Sequence, residues 1–165
     1  MDVFGEPQPD SLPISAKLCL KKFSGIYPEA LIWYQDRETL RLVDGPGRAP
    51  CTAEILEHMY HYLEQKGELY YIEYKFHQAF IPVGDVTLAP HDLPIVIGRS
   101  ELRGRGIGYT VIQTLIGRAL KLGLSELNVR EIYDYNLASQ KLFLKCGFER
   151  AEQTKLGYAY KRTLR

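Results

Sequence analysis

The chain has 165 residues, of which 45% are hydrophobic and 25% charged, and its formal net charge is +1. This composition suits one globular domain with a proper core, and the near-neutral charge gives no general reason to expect nucleic acid as a partner. No apolar run approaches the ~20 residues of a membrane span, and three scattered cysteines predict neither a disulfide framework nor a zinc site.

Compartment and charge distribution add two expectations. The acidic, proline-broken start of the chain is not typical of a secretory signal, so we expect a cytoplasmic protein without a metal or a membrane partner. Residues 1–98 carry 8 Lys/Arg and 14 Asp/Glu, whereas residues 99–165 carry 13 Lys/Arg and 6 Asp/Glu. The second half therefore favours an anionic ligand and the first half a cationic one.

The first third of the chain predicts a loose arm followed by a strand, two helices and a loop. The arm covers residues 1–12, where prolines interrupt any regular pattern. Thr52 is a good N-cap and Gly67 a good terminator for the second helix. The expected elements are a strand at Ile14–Phe23, a helix at Tyr27–Arg37, a loop at Asp44–Pro50 and a helix at Ala53–Lys66.

The rest of the chain alternates strands with helices. A strand rich in Tyr and Ile, a turn at His77-Gln78 and a second apolar run predict an antiparallel hairpin. The expected elements are strands at Leu69–Phe76, Phe80–Ala89, Pro94–Gly98 and Ser125–Tyr133, helices at about Gly106–Leu122 and Leu137–Cys146, and a final strand pair.

The hexapeptide Arg103–Gly108, RGRGIG, lies between the strand at Pro94–Gly98 and a helical pattern. Glycines allow a ligand to approach the backbone, and the N–H groups and dipole of a helix N-terminus favour phosphate. A Walker A loop is excluded because Tyr109 and Thr110, not Lys, follow the last glycine, and the spacing does not match a dinucleotide fingerprint. The segment therefore predicts a site for another phosphate-bearing ligand.

Two motifs in order resemble those of one enzyme superfamily. Arg103, Gly106 and Gly108 match Arg-x-x-Gly-x-Gly, and Asn136–Phe148 reads NLASQKLFLKCGF. Together they resemble the coenzyme A loop and the second signature of the GNAT superfamily of N-acetyltransferases, over about Phe80–Phe148. The resemblance implies a single domain over residues 1–165 with a mixed α/β (α+β) fold. It implies a six- or seven-stranded sheet, helices on both faces and splayed central parallel strands.

The same resemblance, matched to ribosomal-protein-type N-acetyltransferases, implies acetyl-CoA as the co-substrate and assigns residues to it. The strand would contact acetyl-pantetheine, the glycine loop the pyrophosphate, and the second signature the pantetheine arm. The implied cofactor residues are Val96, Ile97, Gly98, Arg103, Gly104, Arg105, Gly106, Ile107, Gly108, Tyr109, Asn136 and Phe143. Asn136 also precedes a helix and suits an N-cap, and Val96 and Ile97 suit a plain buried strand.

The sequence assigns fewer of the catalytic groups than of the cofactor-binding residues. Glu131 stands five residues before Asn136, where the ribosomal-protein subfamily carries a glutamate base; the other interpretation is a surface charge beside Arg130. Phe143 stands where the family usually carries a tyrosine that protonates the leaving thiolate, and phenylalanine cannot donate a proton. The general acid is therefore unassigned.

The resemblance predicts an enzyme that transfers an acetyl group from acetyl-CoA to a primary amine of a small molecule, a protein or a peptide. Two alternatives stay open: a non-catalytic acyl-CoA-binding or sensing module, suggested by Phe143, and an unrelated nucleotide-binding protein. Trp33, Tyr34 and Asp36 are candidates to line an amine pocket, with a buried core as the other interpretation. The sequence leaves the acceptor and the oligomeric state open, a homodimer included.

Overall fold

The computed structural model describes residues 2–164, and five α-helices and eight strands alternate along them. A short 3-10 turn at Ser100–Leu102 precedes the glycine-rich loop. The strands are β1 (Ser11–Pro13), β2 (Leu18–Lys22), β3 (Glu68–Phe76), β4 (Ala79–Leu88), β5 (Ile95–Ile97), β6 (Glu126–Tyr133), β7 (Glu149–Gln153) and β8 (Gly157–Thr163). The helices are α1 (Glu29–Trp33), α2 (Arg37–Asp44), α3 (Ala53–Lys66), α4 (Ile107–Lys121) and α5 (Leu137–Lys145).

The strands form two hydrogen-bonded sheets. One has five strands in the order β1-β2-β3-β4-β5, and the other has three in the order β6-β8-β7, with antiparallel pairing in both. The predicted mixture of strands and helices is confirmed, but eight strands in two sheets replace the expected six or seven in one. Within residues 2–164, β5 and β6 are the facing edges of the two sheets and are not paired with each other.

The two sheets are joined at one end of this gap. The Arg130 N–H donates to Oδ1 of Asp92 at 3.0 Å, and Nδ2 of Asn128 donates to the Pro90 carbonyl at 3.5 Å. Beside these bonds, β5 and β6 both line a cavity. The separation of these two strands therefore creates the space that the site occupies.

The helical segment after β2 differs from the expected single helix at Tyr27–Arg37. The chain leaves the helical conformation at Asp36, whose ψ is 125°, and Oδ2 of Asp36 accepts a hydrogen bond from the Thr39 N–H at 2.9 Å. An aspartate in this geometry is an N-cap, so Asp36 begins α2 shortly after α1 has ended at Trp33. As a result α2 extends to Asp44, and the loop predicted at Asp44–Pro50 starts at Gly45.

The arm predicted at residues 1–12 is attached to the domain, apart from Met1, which lies outside the described residues. Ser11 and Leu12 pair with β2, and Nε2 of Gln8 donates to the Leu69 carbonyl at 2.9 Å. The Arg118 guanidinium donates to the Pro7 carbonyl. The prolines that interrupt a local pattern do not prevent these pairings, because the partners lie far away in the sequence.

The buried side chains form two clusters. The apolar core lies around α4, whose buried face includes Val111, Ile112 and Leu115, and it reaches Phe143 on α5. The aromatic core lies around α1 and α3 and includes Trp33 and Tyr60; its further members include Tyr34, Leu56, Tyr71 and Val96. In the described part of the chain, no helix is both long and apolar enough to cross a bilayer.

Candidate cofactor and active site

A cavity of about 520 Å³ lies between β5 and β6 and is closed by α2, α4 and α5. Its wall is mostly apolar, with polar groups at the start of α4 and α5. Among the residues that the sequence assigns to the cofactor or to catalysis, Gly98 and Arg105 do not line the cavity. The structure brings the other predicted residues together around it: Val96, Ile97, Arg103, Gly104, Gly106, Ile107, Gly108, Tyr109, Glu131, Asn136 and Phe143.

The N-terminus of α4 opens on this cavity without a side-chain cap. Gly106 is the N-cap residue, and Gly104 and Gly106 both have left-handed backbones, with φ of 73° and 81°. The first N–H groups of a helix have no partner within the helix, and they carry the positive end of its dipole. The loop therefore presents backbone donors where an anionic group enters the cavity.

The N-terminus of α5 faces the same cavity but is capped by its own sequence. Oδ1 of Asn136 accepts from the Ser139 N–H at 3.1 Å, and Nδ2 donates to the Leu42 carbonyl at 3.4 Å. The N-cap interpretation of Asn136 is confirmed. Contact between Asn136 and a cofactor stays a prediction. In that contact Nδ2 would donate the hydrogen that is not directed at the Leu42 carbonyl.

Arg103 does not extend freely toward the glycine loop. Its Nε donates to the Ile97 carbonyl at 2.9 Å, and its terminal nitrogen donates to Oγ1 of Thr39 at 3.0 Å. This side chain therefore joins the end of β5 to α2 across the cavity wall. The exposed Arg105 has no such partner among the described residues, which leaves its charge available near the helix N-terminus.

The backbone of β5 divides its hydrogen bonds between β4 and the gap. The Gly98 N–H donates to the Val83 carbonyl at 2.7 Å, and the Thr87 N–H donates to the Pro94 carbonyl at 3.0 Å. Because hydrogen-bonded positions alternate in an antiparallel pair, the peptide groups of Ile95 and Ile97 face the gap. The resemblance implies backbone contacts from Val96, Ile97 and Gly98 to acetyl-pantetheine. The Gly98 N–H is already used by β4, and the same alternation directs the peptide groups of Val96 toward β4 as well.

Gly98 has a packing role that the sequence does not reveal. A Cβ placed there would lie 2.2 Å from Cγ of Trp33, so only glycine leaves room for the indole. Trp33 and Tyr34 are each 2% exposed and belong to the aromatic core, and Asp36 caps α2. Trp33 and Tyr34 therefore follow the buried-core interpretation, whereas Asp36 is an exposed cap, and none of the three lines the cavity.

Glu131 lies at an irregular point of β6, where the pairing with β8 shifts between Val129 and Ile132. Its side chain borders the cavity, and its Oε2 accepts from the Leu156 N–H at 3.1 Å. One carboxylate oxygen therefore holds the turn between β7 and β8. The other is left for water or substrate.

Phe143 is 2% exposed and packs edge to face against Phe148, with ring centroids 5.1 Å apart. It belongs to the apolar core and also to the cavity wall, which supplies no hydroxyl at this point. Tyr133 and Tyr135 stack on each other at the end of β6. Burial, followed by the charge of Glu131, raises the pKa of the Tyr133 hydroxyl, so it keeps its proton at neutral pH.

Some cavity residues have no motif in the sequence. Thr39, Leu42 and Val43 come from α2, and Lys141 and Lys145 from α5. Nζ of Lys145 lies 4.6 Å from the centroid of the Tyr109 ring, which places a cation beside the glycine loop. The four-residue spacing of the two lysines on a helix is the only signal that could have found them.

A buried carboxylate lies outside the cavity, in the aromatic core. Asp85 is 2% exposed, and its Oδ2 accepts hydrogen bonds from the hydroxyls of Tyr34 at 2.7 Å and Tyr60 at 2.8 Å. Burial raises the pKa of Asp85 to about 6, although the two tyrosine hydrogen bonds lower it. We assign this group to the architecture, because the two hydroxyls that bind its carboxylate both belong to the aromatic core.

Solved structures of low sequence identity share the fold. A domain from Methanocaldococcus jannaschii DSM 2661 matches with a TM-score of 0.76 and 17% identity, over 89% of this chain and 98% of that one. The microcin C7 self-immunity acetyltransferase MccE, crystallised with acetyl-CoA and AMP, matches with 0.70 and 17%, over 94% and 97%. Spermidine N-acetyltransferase from Vibrio cholerae, in complex with CoA and spermine, matches with 0.66 and 16%, over 89% and 94%.

The family model for GNAT acetyltransferases matches residues 49–148. No curated protein sequence is similar enough to count as a match. The matched range contains β5, the glycine loop, Glu131 and the whole Asn136–Phe148 segment, so the resemblance predicted from the two motifs is confirmed. Because the match covers more than half of its residues, the chain belongs to the GNAT acetyltransferase family.

Proposed function

We propose that the protein transfers the acetyl group of acetyl-CoA to a primary amine by direct attack on the thioester. The observation that carries this proposal is the N-terminus of α4, which has no side-chain cap. It lies at the entrance of an apolar cavity between β5 and β6, two strands that are not paired with each other. The crystallisation of MccE with acetyl-CoA, and of the spermidine acetyltransferase with CoA and spermine, supports the same donor and an amine acceptor.

The donor would be held by backbone groups at one end and apolar contacts at the other. The N–H groups from Gly104 to Tyr109 would bind the pyrophosphate, with Arg105 and Lys145 adding charge. The peptide groups of Ile95 and the N–H of Ile97 would pair with the pantetheine arm, since the Ile97 carbonyl already accepts from Arg103, and Phe143 would pack against that arm. These contacts orient the thioester carbon for attack.

The acceptor must lose a proton before it attacks, since an ammonium ion has no free electron pair. We assign this step to Glu131 acting through water, because one of its oxygens is free of the Leu156 N–H and its side chain borders the cavity. An α-amine has a pKa near ~8 and a lysine near ~10.4, so base help matters more for a lysine-like amine.

The leaving thiolate receives no proton from residue 143. In this proposal the neutral amine adds to the thioester carbonyl carbon and its nitrogen then gives a second proton to water. The carbon–sulfur bond breaks, and the thiolate takes a proton from water. The hydroxyl added in Phe143→Tyr would supply an acid. We expect the single-turnover rate to rise by up to ~100-fold if departure of the thiolate limits that rate.

The test is thiol release from acetyl-CoA with a panel of primary amines. We expect release that depends on the amine, and Glu131→Gln to lower the rate most at neutral pH and to recover as the amine deprotonates itself. Binding of acetyl-CoA without thiol release for any amine would instead favour the non-catalytic acyl-CoA-binding module. An unchanged pH profile in Glu131→Gln would leave Glu131 as a structural group of the β7–β8 turn.

A cytoplasmic location is part of the proposal, since acetyl-CoA is the donor and the cysteines are free. A homodimer stays a prediction. Sedimentation of the purified chain tests it directly.

A further inference from the structure

The C-terminal end of α2 carries a carboxylate in an unfavourable position. Asp44 is the last residue of α2, where the helix dipole presents its negative end. Within residues 2–164 no hydrogen bond or salt bridge reaches its carboxylate; Nε of Arg48 donates instead to the Asp44 backbone carbonyl at 3.2 Å. A cationic side chain is the usual choice at this position, so the acidic residue conflicts with its local surroundings.

This end of α2 lies beside the aromatic pair at the end of β6. Gly45 follows Asp44, and a Cβ on Gly45 would lie 3.4 Å from the hydroxyl oxygen of Tyr133. Tyr135 stacks on Tyr133 with ring centroids 5.4 Å apart, and its hydroxyl donates to the Arg41 carbonyl. Asp44 and Tyr133 are therefore held close together by two neighbouring contacts.

The position of α2 relates Asp44 to the cavity. Near its start, Oγ1 of Thr39 accepts from Arg103, which is bonded to the end of β5. Near its end, the backbone meets Tyr135 and Asn136, which follow β6. The helix thus bridges the two separated strands. Its residues Thr39, Leu42 and Val43 line the cavity, and Asp44 follows Val43 in the chain but lies outside the lining.

The aromatic pair already accepts a cation. The Arg41 guanidinium lies 4.5 Å from the centroid of the Tyr135 ring. A carboxylate next to tyrosine rings is the combination that binds an ammonium group, through charge and through the ring faces. Burial raises the pKa of the Asp44 carboxyl, and the neighbouring Arg48 lowers it.

We propose that Asp44, with Tyr133 beside it, binds a second ammonium group of the acceptor, so that the preferred substrate is an amine with two or more positive charges. This inference rests on the proposed function and deepens it. The acidic balance of residues 1–98 also favours a polycationic partner.

The test compares cadaverine with pentylamine, a diamine and a monoamine of the same chain length. Calorimetry measures the binding of each to the wild-type chain and to Asp44→Asn, and thiol release from acetyl-CoA measures turnover. The matched control is Glu38→Gln, which removes one negative charge from the same helix but from a residue paired with Arg41. Acetyl-CoA affinity serves as a folding control for both variants.

We expect wild type to bind cadaverine at least tenfold more tightly than pentylamine. Asp44→Asn should remove this preference by weakening cadaverine alone, and Glu38→Gln should keep it. No preference in wild type, or an equal loss for both amines in Asp44→Asn, would overturn the inference. If wild type binds cadaverine with this preference but releases no thiol, the binding of an ammonium group by Asp44 is supported and the proposed transferase function fails.

Discussion

The apolar core and the aromatic core differ in whether the polar groups beside them have hydrogen-bond partners. In the apolar core, next to the cavity, the N-terminus of α4 leaves backbone donors without a side-chain cap, and the Ile95 peptide groups and the Ile97 N–H of β5 face the gap. In the aromatic core, Asp85 is buried and both Tyr34 and Tyr60 donate to it. Unsatisfied groups beside a cavity indicate ligand binding, whereas satisfied groups in a closed core indicate architecture.

This difference yields a general expectation for mutants. Changes beside the cavity should alter acetyl-CoA affinity. Changes at aromatic-core residues that do not line the cavity should alter stability alone. The following variants test each side, from the largest expected effect to the smallest.

Phe143→Ala should have the largest effect, because Phe143 is both a core residue and part of the cavity wall. We expect a loss of ~3–5 kcal/mol in the free energy of unfolding from the lost packing against Phe148. Acetyl-CoA affinity should fall as well. Denaturant unfolding and calorimetry below the unfolding transition separate the two effects. Wild-type affinity in a folded Phe143→Ala would show that the ring does not contact the donor.

Asp85→Asn should change the pH dependence of stability without changing acetyl-CoA affinity. The folded-state pKa of Asp85 is raised to about 6 from 3.8, so its stabilising contribution is present in the protonated form below pH ~4 and is lost as the pH rises through about 6. Relative to wild type, the variant should gain up to ~3 kcal/mol between these limits.

Urea unfolding of wild type and Asp85→Asn at pH 4, 5, 6 and 7 would measure this slope. The slope, not the absolute stability, carries the prediction, since the new amide must also fit between the two tyrosines. A parallel pH dependence in both proteins would contradict it.

Gly106→Val should reduce acetyl-CoA affinity by ~100-fold, about 2.7 kcal/mol, while the fold survives. The position has a left-handed backbone with no neighbour within 4 Å of an added Cβ, so the side chain would project from the donor loop. Gly123→Val is the matched control. Gly123 also has a left-handed backbone and open space, but it follows the other end of α4. Equal affinity losses in both would indicate helix strain and not blocked access.

Asn136→Ala should have the smallest effect, a loss of ~1 kcal/mol in the free energy of unfolding, because it removes the cap of α5. If Asn136 also contacts pantetheine, acetyl-CoA affinity should fall by more than the stability change explains. Asn136→Ser keeps a capping side chain and isolates the contact with the cofactor. Restored stability with restored affinity would leave Asn136 as an N-cap alone.

Local signals in the sequence predicted local structure well. The bounds of α3, Ala53–Lys66, match the structure because Thr52 caps its start and Gly67 follows its end. The apolar pattern does not reveal the break at Asp36, although Asp36 and Thr39 have the spacing of an N-cap and its donor. The pairing of β1 was missed because three residues give no pattern and the partner is set by tertiary contact.

The candidate site likewise combines parts that local motifs predict with parts that only tertiary contacts create. The glycine loop and the start of α5 are contiguous motifs, and the structure brings both to one cavity. The contributions of Thr39, Leu42 and Val43 arise from the docking of α2 across the two strands, which no spacing records. The hydrogen bonds of Arg103 and the packing of Gly98 on Trp33 are also long-range, so the motif indicates these residues without revealing their contacts.

Amide-resolved hydrogen exchange with and without acetyl-CoA tests the central claim most directly, namely that the free N–H groups at the start of α4 bind the donor. We expect acetyl-CoA to slow exchange from Gly104 to Tyr109 strongly. The capped amide of Ser139, which already donates to Asn136, should change little. Protection confined to Leu137–Ser139, or no protection at either helix, would contradict the account.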